Sequence, residues 1–138
     1  MPPLTRWYIK SALLYLIAGL LIALLQAGPA VARVPVIAAA GPAQVHLLVV
    51  GWVTQMIFGV AYWMFPKYAL DTPRGNNAVA VVTFALLNVG LLLRVVAEPL
   101  HTVHPSATLG WLLAAAALAQ WLAAIGFAAN TWPRVKVK

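Results

Sequence analysis

The sequence predicts an all-α integral membrane protein, an up-and-down bundle of four transmembrane helices forming one domain over residues 1–138. Three observations predict it. Of 138 residues, 64% are hydrophobic and only 8% are charged, and the mean hydropathy is +0.92. A soluble domain carries roughly 25% charged residues, so this chain takes lipid as its solvent. Second, four apolar stretches reach the roughly 20 residues that cross about 30 Å of hydrocarbon in a helix. Third, helix-breaking residues separate those stretches.

The first span runs from about Trp7 to Ala27 and ends at Gly28-Pro29. Gly41-Pro42 precedes the second, from about Gln44 to Phe65, and Pro66 ends it. The polar turn Asp71-Thr72-Pro73-Arg74-Gly75-Asn76 leads to the third, from about Asn77 to Ala97, which Pro99 is expected to end. Pro105-Ser106 opens the fourth, from about Ala107 to Ala129, with Ser106 as N-cap. Pro133 stops it before a basic tail. Trp7, Tyr8, Tyr62, Trp63, Trp111 and Trp132 fall near span ends, as an aromatic belt does.

The net charge of +7 does not point to nucleic acid, because the basic residues lie between spans and at the ends. Arg6, Lys10, Lys67, Arg74, Arg134, Lys136 and Lys138 share one side, leaving Arg33 and Arg94 on the other. The positive-inside rule then puts both termini and the 2–3 connection in the cytoplasm. The expected location is a bacterial inner (cytoplasmic) membrane. A competing reading makes the first span a signal peptide cleaved after Ala30-Val31-Ala32. The absence of cysteine excludes disulfides and thiol chemistry. No nucleophile–base pair or phosphate loop is present.

Polar groups inside spans are costly and mark function. His46, Thr54 and Gln55 lie in the second span, Thr83, Asn88 and Arg94 in the third with Glu98 at its end, and Gln120 and Asn130 in the fourth. Span order puts His46, Arg94, Glu98, His101 and His104 on the outer side. Imidazole is the usual axial ligand of a b-type heme and also suits Zn, Cu and Fe. At helical spacing His46, Val50, Val53, Ile57 and Met64 make an apolar stripe with one ligand at its end. Arg94 either pairs with Glu98 one turn later or holds a heme propionate. His101 and His104, spaced i,i+3, can share a metal if helical, joined by Glu98 or His46. Gly51, Gln55 and Gly59 form a small-residue face for close helix packing or a homodimer seam.

The second span resembles subunit I of the heme–copper oxidase superfamily, nearest its nitric oxide reductase and C-type branch. The resemblance rests on His46-Leu47-Leu48-Val49-Val50-Gly51-Trp52 and on the ending Gly59-Val60-Ala61-Tyr62-Trp63-Met64-Phe65-Pro66. The stretch Asn88 to Pro99 looks like that of small four-helix relatives. The resemblance implies that His46 is the ligand of a low-spin heme b near the outer face. It covers about two of four spans. The second axial ligand and the binuclear-centre histidines have no counterpart, so the chain alone is not a reductase of that kind. The expected function is heme b binding for electron transfer or diatomic-gas binding. His101, His104 or His46 of a second copy would supply the sixth ligand. The alternatives are a heme-free Cu or Zn site at His46, Glu98, His101 and His104, and a cofactor-free accessory subunit of a respiratory or photosynthetic complex.

Overall fold

A computed structural model describes residues 1–29, 34–67 and 74–135. Its long helices are α1 (Pro3–Ala27), α2 (Gly41–Met64), α3 (Asn77–Val103) and α4 (Ala107–Thr131), the last closing in a 3-10 turn, Trp132–Arg134. A single turn, Pro35–Ala38, precedes α2. All four long helices have the length and composition to cross a membrane, and no strand occurs among the described residues. The proposed signal-peptide cleavage site lies outside the described residues.

Local chemistry sets the ends. Ser106 accepts the Leu109 N–H at 3.2 Å, as expected of an N-cap. Asn76 caps α3, its side chain accepting from Ala78 N–H (2.9 Å) and Val79 N–H (3.2 Å). Asn130 of α4 reaches the same residue: its side-chain oxygen accepts the Asn76 N–H at 2.8 Å and its amide donates to the Asn76 carbonyl at 3.2 Å. Gly75 precedes them at φ +74°, a left-handed turn that glycine enters freely. Asn76→Ala removes the cap and is expected to lower stability by ~1 kcal/mol, read as a lower unfolding midpoint in detergent. An unchanged midpoint would refute the assignment.

Two expectations need correction. Pro99 does not end α3. The helix runs on to Val103, with Pro99 buried. A proline within a helix forfeits one backbone bond and strains the preceding turn. Here the next turn still closes, the Thr102 hydroxyl donating to Glu98 O (2.9 Å) and His104 N–H to Leu100 O (2.8 Å). Glu98 and His101 therefore stand on the helix rather than beyond it.

The second correction concerns α2, which contains a π-helical stretch, Leu47–Thr54. Its wider i→i+5 turns change which residues share a column. Leu47, Gly51, Gln55 and Gly59 are buried, while Val45, Val49, Val53 and Ile57 are exposed. His46 and Val50 are half-buried, one column away from Val53 and Ile57. The stripe expected from α-helical spacing is thus split, and its imidazole end is turned toward α3.

Small residues bring the helices together. Gly59 packs on Tyr8, Gly19 on Leu48, and Gly51 on Tyr15 and Leu91. Gly90 meets the Ala116 carbonyl, and Gly126 meets Thr83. The core gathers Leu4, Tyr8, Phe58, Tyr62, Ala80, Leu87 and Ala123. Phe58 stacks on Phe127 at 3.8 Å between ring centres, and Tyr8 meets Phe84 edge-on at 4.9 Å. Tyr8 and Tyr62, expected in an interfacial belt, belong to this core, whereas Trp7, Trp63, Trp111 and Trp132 are exposed.

Candidate functional site

His46 ends the α-helical first turns of α2, immediately before the π stretch. Arg94 and Glu98 are one turn apart on α3. The packing of α2 on α3 brings the three side chains together.

Arg94 Nη1 lies 2.5 Å from His46 Nε2. A guanidinium only donates, so Nε2 accepts with its lone pair and the neutral ring carries its proton on Nδ1. That proton points to the carbonyl of Pro42, four residues back, at 2.9 Å. Glu98 Oε2 is 3.5 Å from the same Nδ1. This is a charge–dipole contact rather than a hydrogen bond, since Oε2 is buried without a hydrogen-bond donor. Arg94 Nε is likewise buried without an acceptor. The side chains of His46 and Glu98 are only 25% and 19% exposed.

Arg94 therefore turns to the imidazole rather than to Glu98, the partner that i,i+4 spacing suggests. The structure brings together His46, Arg94 and Glu98. The other two histidines have different surroundings. His101 Nδ1 accepts the Ser106 N–H at 3.4 Å, and His104, the C-cap of α3, is exposed. No group of three or more His, Asp and Glu side chains is close enough to hold a metal among the described residues.

The interior holds more polarity than this cluster. Tyr15 donates to Asn88 Oδ1 at 2.8 Å, tying α1 to α3. Gln55 is fully buried, with neither amide atom hydrogen-bonded to protein. A large apolar groove of about 600 Å³, lined by Met56, Ile57, Val60, Ala61, Met64 and Phe65, opens on α2. It begins ten residues past His46, on the far side of the π stretch. The imidazole is not part of it.

Two contributors were not evident from sequence. The Pro42 carbonyl could have been found from its i−4 spacing to His46. Tyr15 carries no such signal, because its partner lies 73 residues away. Comparison with protein-family models, curated proteins and solved structures matches nothing.

Proposed function

We propose that this chain is a four-span, up-and-down membrane protein that binds heme b at one end of its bundle through His46. The observation that carries the proposal is the state of the imidazole. Nδ1–H rests on the Pro42 carbonyl, and the Nε2 lone pair faces a cation. Metal-ligating histidines are held this way, one ring nitrogen donating to a carbonyl or carboxylate while the other faces the metal.

In this arrangement Arg94 Nη1 takes the direction an iron would take, so ligation requires the guanidinium to move. Its natural destination is a carboxylate, onto which guanidinium forks, and a heme propionate is one. Heme b supplies a one-electron couple and, where its sixth position is open, a place for NO or O₂. In this chain His46 would hold the iron and Arg94 a propionate. His101 and His104 remain second-ligand candidates on sequence position alone, as does His46 of a second copy in a homodimer.

The up-and-down path is supported by the order of contacts: Tyr8 with Gly59 and Gly19 with Leu48, then Thr83 with Gly126 and Gly90 with Ala116. Cytoplasmic termini rest on the Lys and Arg distribution. The bacterial inner membrane rests on the resemblance.

A second reading is favoured by one observation: both ring nitrogens of His46 are already engaged within the chain. The cluster would then tie α2 to α3 in a cofactor-free accessory subunit of a larger respiratory or photosynthetic complex. A reduced-minus-oxidised spectrum of protein purified from heme-replete cells separates the two. Heme binding predicts a Soret band that His46→Ala abolishes. No Soret band in the wild type leaves the second reading standing.

A further inference from the structure

We propose that Arg94 is a two-position switch on His46, capping the ring nitrogen in one position and freeing it by pairing with Glu98 in the other. The inference rests on the reading of His46 as a ligand to an electron-poor centre, and it adds how that ligand is kept closed.

Arg94 and Glu98 each carry a buried polar atom without a hydrogen-bond partner. The guanidinium donates to His46 Nε2, yet its Nε is buried without an acceptor. One turn along the same helix, Glu98 Oε2 is buried without a donor. A buried polar atom left without a hydrogen bond is costly. A charged donor and a charged acceptor both under-served within a single turn describe an interaction not yet made.

The spacing allows it to be made. Side chains at i and i+4 are neighbours on a helix surface, so a change of side-chain rotamer carries the guanidinium from the imidazole to the carboxylate. The new pair is charge-assisted and suited to two parallel hydrogen bonds. Neither α2 nor α3 has to move. His46 stays in place because Nδ1–H remains on the Pro42 carbonyl, 2.9 Å away on the same helix.

The two positions differ in one chemical property, the availability of the Nε2 lone pair. With Arg94 on the ring the lone pair is engaged; with Arg94 on Glu98 it is free. An incoming centre that seeks an imidazole lone pair draws on the second position, from which Arg94 can pass on to a propionate once heme is bound. A ligand can shift such an equilibrium only as far as it binds one state better than the other. This one binds the open state exclusively.

Diethyl pyrocarbonate tests the switch without any metal or heme. It transfers an ethoxycarbonyl group to an imidazole nitrogen through its lone pair, releasing carbon dioxide and ethanol. Rates at His46, His101 and His104 are read separately by peptide mass spectrometry on the full chain in mild detergent, with the latter two as references. Arg94→Met keeps an unbranched apolar stem and removes the donor, so the His46 rate is expected to rise about tenfold or more, the size expected for losing a hydrogen bond from a charged group. Glu98→Gln removes the competing carboxylate, holds Arg94 on the ring, and is expected to slow His46 below the wild type. A merely structural role would loosen the packing and raise the rate in both variants.

A rise in Arg94→Met together with a fall in Glu98→Gln supports the switch; any other pattern overturns it. If Arg94→Met does not fold, the direction of change in Glu98→Gln decides alone. The absorption spectrum is judged apart. A Soret band without this reactivity pattern sinks the switch and spares the heme reading. The pattern without a Soret band does the reverse.

Discussion

Replacing Gly59 by alanine is expected to destabilise the bundle by ~2–3 kcal/mol, although alanine is the better helix former. In an open helix interior the change would favour the folded state by ~1 kcal/mol. Here a Cβ at residue 59 would stand 2.6 Å from the Cβ of Tyr8, far inside van der Waals contact. The obstacle is the root of the tyrosine rather than its tip, so a rotamer change does not remove it. Tyr8 is also 2% exposed and held edge-on against Phe84. The remaining response is to push α1 away from α2, with the overpacking cost of a close-packed interface. Thermal unfolding in mild detergent, followed by circular dichroism, measures it. Gly110→Ala is the control, since its Cβ would meet only His101 Cε1 at an ordinary 3.9 Å. It is expected to be neutral or slightly stabilising. Equal midpoints for Gly59→Ala and the wild type would refute the close approach.

Arg134→Ala is expected to cost about 3 kcal/mol, which is large for a residue so near the chain end. Arg134 is fully buried. Its Nη2 donates to Tyr62 O at 2.9 Å and Phe65 O at 2.7 Å, and its Nε donates to Pro66 O at 3.2 Å. The guanidinium also lies 5.5 Å from the centre of the Tyr62 ring. The reason lies in α2. A helix leaves its last carbonyls without N–H partners, and the residue that would serve Tyr62 O is Pro66, which has no N–H. Arg134, at the end of α4, supplies the missing donors. Hydrogen bonds to charged groups contribute about 1.5–3 kcal/mol each, and water or headgroups at the helix end recover part of that loss. Arg134→Lys retains the charge but not the planar fork, so it is expected to recover about half. The same unfolding experiment reads both variants. A wild-type midpoint in Arg134→Ala would show that the carbonyls are served equally well without it.

These residues mark where sequence reading succeeds and where it stops. The four apolar helices were legible because hydrophobicity is a property of about twenty consecutive residues. Their ends were legible where Gly28, Pro66 or Ser106 acts on its immediate neighbours. The buried face of Gly51, Gln55 and Gly59 followed from spacing along one helix. The meeting of His46 with Arg94 and Glu98 followed from span order, which puts the start of α2 and the end of α3 at one end. Pro99 misled, because a proline predicts a stop only when the backbone bond it forfeits is not offset by what the rest of the helix retains.

Local composition thus determined that the chain makes four apolar helices and which polar groups lie near one another along their axes. Tertiary structure decided the rest. The π stretch rotated His46 out of the expected stripe, Arg94 chose the imidazole over the carboxylate on its own helix, and Arg134 became the cap of a helix 70 residues earlier. The physical reason is common to all three. Helix formation answers to neighbours within a turn or two, whereas the rotation of a helix and the pairing of its polar side chains depend on which residues of another helix pack against it.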